Sequence, residues 1–351
     1  MSWRGAGAVV GTASLLVLAA CGGRGGKQPI VAPKATTTAA PTTTTTSTST
    51  TVPAGPPFPL TGLPSRGSPN AGRPALSVKI DNAPSARPQI GLQQADIVTE
   101  ELVEGGLTRF LATYQSQDAA SIGPVRSARP VDADLLNELG GGIFAYSGAA
   151  AGEIAPARAR SGAVLIDAVA WPQAFQRNTS RPAPSNLFTS TAALYQVGTK
   201  PGMGPPPQLF TYSAAAPAGA PVTGITLRFS GASVVAWHAL ESGAYQRAEN
   251  GVPDIGADGA AITADNVVVL SVAIGHTGIF DTAGNEDPLV IVTGSGPAWV
   301  LRDGVLQMGQ WSRPDYHAKM ALTAADGAPL TLKPGRTWVE LLPMPAAPVL
   351  G

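Results

Sequence analysis

The sequence predicts an α+β fold: two consecutive mixed domains, the second β-rich, behind a disordered Thr-rich linker. Three observations carry this. Glycine (41 residues) and proline (33) are abundant, which favours turns and strands over long helices. Beyond residue 222 the apolar residues fall in short alternating or continuous runs of strand length, whereas before residue 212 such runs are mixed with helical stripes. Residues 36–51 hold 11 Thr and 2 Ser in 16 positions, and such a tract has no apolar surface to offset chain entropy.

The N-terminus reads as an address. Arg4 is the only charged side chain before Cys21, and Ala6 to Leu18 is apolar. That stretch has the form of a secretory signal and is too short for a span of about 20 residues. It ends in Leu18-Ala19-Ala20-Cys21-Gly22, the pattern of a bacterial lipobox. Residues 1–20 are the predicted signal peptide. Cys21, the one cysteine of the chain, is the predicted lipidation site. A single acyl chain holds a protein on a membrane only marginally, and two or more hold it stably. Residues 21–57 are the predicted linker, with a reach of roughly 30–35 Å as a flexible coil; Thr-rich tracts with Pro also suit glycosylated stalks.

The first folded domain is placed at 58–212. Leu76 to Ile80 is a strand candidate. Ala95 to Val103 and Leu107 to Gln115 are two more, set around Gly105-Gly106 as a hairpin signal. If these two glycines are the turn residues, Leu102 faces Arg109, and Glu100 and Glu104 are the diagonal neighbours of Arg109 on the same face. Val131 to Leu139 reads as a helix, with Asp132 and Asp134 in its first turn and Gly140 ending it. A second short helix spans Ser190 to Val197, with Thr189 as its N-cap.

Lys200 to Pro221, with Pro205-Pro206-Pro207, reads as a connection, and the second domain is placed at 222–345. Thr223 to Phe229 alternates, putting Ile225, Leu227 and Phe229 on one face. Val267 to Ile274, Leu289 to Thr293, Ala298 to Leu301, Val305 to Trp311 and Thr337 to Leu342 are further strands. Asp258-Gly259, Asp303-Gly304 and Asp326-Gly327 mark turns.

The chain resembles a known family over about Leu60 to Pro343. The carrying residues are Asp81-Asn82-Ala83-Pro84, Ala86-Arg87-Pro88-Gln89, Glu104-Gly105-Gly106-Leu107-Thr108-Arg109-Phe110-Leu111 and Ile122-Gly123-Pro124-Val125-Arg126-Ser127-Ala128-Arg129. Later come Tyr245-Gln246-Arg247, Asp265-Asn266-Val267, Gly309-Gln310-Trp311 and Lys333-Pro334-Gly335-Arg336-Thr337-Trp338. Together they are similar to the bacterial lipoproteins of the YerB type, the DUF3048 family. The resemblance implies a lipoprotein with two consecutive α/β-mixed domains and supplies no activity. It also implies histidines that this chain replaces, at Ala83, around Tyr146-Ser147, and at Ser185.

Charge and composition narrow the function. The chain has 23 basic and 23 acidic residues, so no nucleic-acid partner is expected. One cysteine and three scattered histidines call for no metal site, and nothing calls for a cofactor. Ser147 is not in a nucleophile elbow. Ser295, in Gly294-Ser295-Gly296, has a histidine partner only if His276 or His317 approaches in space. His238 reads as an ordinary histidine, and Trp299, Trp311 and Trp338 as core.

The polar residues of the first domain are the candidate ligand site: Asp81, Asn82, Arg87, Glu100, Glu104, Arg109, Arg126 and Arg129. Arginines present planar donors for a carboxylate or phosphate, and a carboxylate in a cleft can act as a general base. The same residues equally make structural ion pairs that fix turns. Three functions therefore stay open. The chain is expected to be a membrane-anchored binding or scaffold protein on the extracytoplasmic face, held by acyl chains on Cys21 and touching wall polymer or a membrane-bound envelope enzyme. The alternatives are a hydrolase or transferase of wall polymer and a small-ligand receptor. Carboxylates about 5–9 Å apart around a cleft favour the glycosidase-like enzyme, whereas carboxylates all paired with arginine favour binding or structure.

Overall fold

The computed structural model describes residues 55–351. The predicted signal, Cys21 and the Thr-rich tract lie outside the described residues. The fold is entered slightly before Phe58, since Ser65 N donates to Pro56 O at 3.1 Å.

The first half contains β1 (Leu76–Asp81), β2 (Ile97–Leu102), β3 (Thr108–Tyr114), α1 (Asp132–Glu138), β4 (Ile143–Tyr146), α2 (Ala151–Arg160), β5 (Val164–Asp167) and α3 (Thr191–Gly198). The second half is strand-rich: β6 (Gly224–Arg228), β7 (Val234–Ala239), β8 (Tyr245–Glu249), β9 (Asn266–Phe280), β10 (Glu286–Ile291), β11 (Gly294–Arg302), β12 (Val305–Arg313), β13 (Ala321–Thr323), β14 (Thr337–Pro343) and β15 (Val349–Leu350). Two-residue bridges complete the pairing.

The two halves share one sheet. Its order is β13-β12-β11-β9-β14-β2-β3-β1-β4-β5, with β10 hydrogen-bonded to β9. The junction is the parallel pair β2·β14, from Ile97 opposite Thr337 to Glu100 opposite Glu340. β14 is buried on both faces, as a strand inserted into the middle of a covered sheet must be. A second sheet, built from β6, β7, β8 and β15 with two short bridges, packs on one face. Trp237 from β7 meets Trp338 from β14 edge to face at 5.2 Å, and Trp338 meets Phe110 from β3 at the same distance. Trp311 and Trp338 are buried, as a core role requires. Helices α1 and α2 cover the opposite face over Leu111, Phe144 and Tyr146.

Two expectations change, and three elements carry no signal in the sequence. The β2–β3 hairpin exists, but its loop has three residues, Glu104 to Gly106, closed by Val103 N to Leu107 O at 2.8 Å. Gly105 and Gly106 have φ of 66° and 73°, a region open to glycine at little cost. The extra loop residue moves the ladder by one. Glu101, not Leu102, is opposite Arg109, and a one-residue slip sends every side chain to the other face. The cap of α3 is Ser190, whose Oγ accepts from Ala193 N at 3.1 Å. Thr189 instead donates to Ala174 O at 2.7 Å. Finally, β4, α2 and β5 went unread. Gly152 and Pro156 inside α2 hide a helix whose buried face is only Glu153, Ile154 and Ala157.

Candidate functional site

Two clusters of charged side chains sit on opposite faces of β1–β3. The first starts at Lys79, which lies between Val78 and Ile80 of β1 with no exposed surface. Its ammonium contacts Glu101, and Asp132 Oδ1 at 2.7 Å. Asp132 Oδ2 accepts from Arg129 N at 2.7 Å, which fixes the start of α1. The Arg129 guanidinium is the hub. It binds Glu104 of the hairpin loop, Glu153 of α2 at 3.4 Å and Asp287 of β10 at 3.0 Å. Burial pushes the Glu101 and Asp287 carboxyls up to about 7 against the pull of Lys79 and Arg129 respectively. Burial also acts on Glu104, but Arg129 and then Arg109 outweigh it and hold that carboxyl below its usual range.

Beside this hub lies an open cleft of about 590 Å³, walled by Asp81, Glu104, Arg109, Arg126 and Arg129 and roofed by Ile279 to Thr282 at the end of the β9–β10 hairpin. Ile279 is seated on Gly152 of α2, where a Cβ would fall 2.8 Å from its Cδ1. Arg126 contacts Asp81 Oδ2 through Nε at 3.1 Å. Ser185 Oγ donates to the same carboxylate at 3.2 Å. Arg109 is 8% exposed and poorly matched. Glu104 Oε2 is 3.7 Å away, the Ser127 carbonyl is 3.4 Å away, and its Nε has no partner. Burial, reinforced by Arg129, lowers its guanidinium to about 10.

The second cluster centres on Arg247 of β8. It binds Glu100 through both carboxylate oxygens at 2.8 and 2.7 Å, Glu249 at 3.0 Å, and Asp254. It lies over the rings of Phe110 and Trp338. Asn82 donates to Glu249 at 2.8 Å, and Arg87 is paired with Glu249. Glu340 of β14 accepts from Trp237 Nε1 at 2.7 Å. Burial and then the neighbouring Glu100 drive its carboxyl well above the usual range.

The eight predicted site residues therefore do not form one cleft. Asp81, Glu104, Arg109, Arg126 and Arg129 do. Asn82, Arg87 and Glu100 belong to the buried Arg247 cluster, because strand parity and the shifted register put Glu100 on the other face. Lys79, Asp132, Glu153, Asp287, Arg247 and Glu340 were missed. Lys79 alone had a sequence signal: a lysine set between Val78 and Ile80 in a strand. The positions where the resemblance implies histidine converge on the cleft. Ala83 N donates to Asp81 at 3.2 Å, Ser185 binds it, and Ser147 N donates to Arg126 O at 2.9 Å.

In chemical terms the cleft is matched for holding rather than for proton transfer. Asp81 has Arg126, and Glu104 and Glu153 have Arg129; Asp281 on the roof is held by its own turn, through Ala283 N, Asn285 N and Asn285 Nδ2. His238, His276 and His317 are exposed; His276 is bonded to Glu286 at 2.9 Å, not to Ser295. Among the described residues, no group of three or more His, Cys, Asp or Glu is placed to hold a metal ion.

Family comparison agrees with the architecture. The profile for the N-terminal domain of a protein of unknown function, DUF3048, matches residues 60–203, and that for its C-terminal domain matches 225–339. The chain belongs to the DUF3048 family. A curated member, the putative lipoprotein YerB of Bacillus subtilis strain 168, is 30% identical over 299 residues, covering 81% of this chain and 86% of that one. The crystal structure of YerB protein from Bacillus subtilis superposes with a TM-score of 0.70 at 25% identity, covering 84% of this chain and 99% of that one. The cleft is built by the DUF3048 N-terminal domain and roofed by a hairpin of the C-terminal domain.

Proposed function

We propose that this DUF3048 protein is a lipid-anchored binding protein on the extracytoplasmic face of the membrane. It holds an anionic group of wall polymer, or of an envelope partner, against Arg109 and Arg126 and does not transform it. The supporting observation is the pairing of the cleft carboxylates. Asp81, Glu104 and Glu153 each face an arginine, Asp281 stands on the roof, and the Arg126 side chain stays 28% exposed at the cleft wall. A carboxylate held by arginine is a poor general base, and a partly exposed guanidinium still has donors to offer an oxyanion. The lipobox at Cys21 and the relative named a putative lipoprotein support the anchoring. Among the described residues no helix is long and apolar enough to cross a membrane.

The test is capture in cells. A photo-crosslinking residue replaces Thr282, which is exposed on the cleft roof. Captured wall polymer or envelope protein is then identified with and without Arg109→Ala and Arg126→Ala. Capture that depends on Arg109 supports the reading, and capture indifferent to Arg109 and Arg126 sinks it.

A further inference from the structure

The large sheet ends at β5, which has β4 on one side and no strand on the other. Val164 N donates to Gly142 O at 2.9 Å, and Ala168 N donates to Tyr146 O at 3.0 Å. The even-numbered residues of this stretch therefore turn their backbone groups to β4, and by alternation Ala163, Leu165 and Asp167 turn theirs outward. Two of the outward groups are used within the chain. Ala163 N donates to Ser161 Oγ at 3.1 Å, and Asp167 O accepts from Trp171 N at 2.8 Å. The Ala163 carbonyl, the N–H and carbonyl of Leu165 and the Asp167 N–H stay open.

That set is self-complementary. Placed antiparallel to a second copy about a two-fold axis at Leu165, the two Leu165 residues exchange both hydrogen bonds, and each Asp167 N–H meets the Ala163 carbonyl of the other chain. The two groups that a longer ladder would need are the two that Ser161 and Trp171 already close. An antiparallel pairing shifted by two residues in either direction leaves Leu165 half matched. The edge is also unprotected. Edge strands are usually blunted by proline, lysine or a bulge, and elsewhere the sheet margins carry proline, at Pro221, Pro253, Pro288 and Pro329. β5 reads Val-Leu-Ile-Asp, with neither proline nor lysine. Val164 and Leu165 stay half-buried, and Val169, just past the strand, is 82% exposed.

We propose that β5 is the contact edge of a two-fold dimer, in which β5 of one copy pairs antiparallel with β5 of a second and the two large sheets become one. The proposal is independent of what the cleft binds. Acyl anchors on Cys21 would gather the copies on one membrane surface and raise their effective concentration, which suits a short ladder.

Disulfide trapping of the purified full-length Cys21→Ala protein tests it, because Cys21 is the one native cysteine and each engineered cysteine is then the only thiol. At the two-fold axis, Leu165 and its copy have Cα atoms about 5.5 Å apart, inside the range of about 4.4–6.8 Å for a disulfide. Val164 is opposite the partner's Ile166, and Val169 lies beyond the ladder, so neither meets itself. Under mild oxidation Leu165→Cys should form covalent dimers at least tenfold faster than Val164→Cys or the more exposed Val169→Cys. Adding Asp167→Pro to Leu165→Cys should cut the rate to the Val169→Cys level and leave the far-UV circular dichroism unchanged, since the lost N–H lies on the open side of the strand. Equal trapping at the three positions, or trapping indifferent to Asp167→Pro, would overturn the dimer. A Leu165→Cys chain that stays monomeric when purified but is trapped on another polypeptide in cells would also overturn it, and would give the edge to an extended segment of that partner.

Discussion

Glu101 and Arg109 are partners across the β2–β3 ladder, yet the carboxylate of Glu101 goes to Lys79 and the guanidinium of Arg109 is left 3.7 Å from Glu104. Both side chains are buried. Lys79 sits on β1, two residues before Asp81, the other ladder partner of Arg109, and it is already aimed at Asp132. The Lys79 ammonium therefore gathers two carboxylates and leaves Arg109 underused.

Arg109 is accordingly expected to matter more for binding than for stability. Arg109→Ala removes a buried cation whose neighbours Arg129 and Arg126 disfavour it, and Glu104 keeps Arg129. Urea unfolding should change by less than about 1 kcal/mol, the scale of a weak ion pair, while anion binding disappears. A loss of more than 2 kcal/mol, on the order expected for a stranded buried charge, would assign Arg109 to the scaffold.

Lys79→Ala should behave in the opposite way. It leaves Glu101 and Asp132 without their cation in the interior, a change that typically costs about 3–5 kcal/mol. The same urea measurement on the two variants separates the roles, and a Lys79→Ala protein as stable as the parent would contradict the buried triad.

Arg247 and Glu340 give a matched contrast. Arg247→Met strands Glu100, Glu249 and Asp254 and should cost at least about 3 kcal/mol. Glu340→Gln keeps an acceptor for Trp237 and removes a carboxyl that burial pushes toward its neutral form. It should shift stability by less than about 1 kcal/mol. Equal losses in thermal melts of the two variants would show that the Glu340 charge matters to this cluster as much as that of Arg247.

Stability should fall as pH rises toward neutrality. Asp287 and Glu101 titrate near 7 in the folded chain, against ordinary values of 3.8 and 4.5. Between those limits the native state holds protons that the unfolded chain has released. The contribution of these two carboxyls is complete below about pH 4 and is lost as pH climbs through 7. Asp287→Asn should flatten the fall in melting temperature between pH 4.5 and 8, with the largest gain at the alkaline end. Parallel curves for parent and variant would show that Asp287 carries no such linkage.

Anchoring is checked outside the described residues. Cys21→Ala should release the protein from membranes or leave it unprocessed, and full retention of a matured Cys21→Ala protein would remove the lipid anchor from the proposal.

The sequence by itself determined whatever depends on neighbours along the chain. Alternation in 223–229 placed Ile225, Leu227 and Phe229 in the core. Asp132 and Gly140 bounded α1, and Gly105-Gly106 marked a hairpin. It also named five residues of the cleft, because arginines and carboxylates near turns stand out in a chain with 13% charged residues. Tertiary structure decided the rest. One residue of loop length, set by where two glycines take positive φ, chose the face on which Glu100 and Glu101 project. The parallel insertion of β14 beside β2 joined residues more than 200 positions apart, and no local pattern encodes such a pairing. Arg129 gained Asp287, and Arg247 gained Glu100, only once the sheet was assembled. Burial then separated the charges that hold the sheet, on Arg129 and Arg247, from Arg126, which stays partly exposed at the cleft wall.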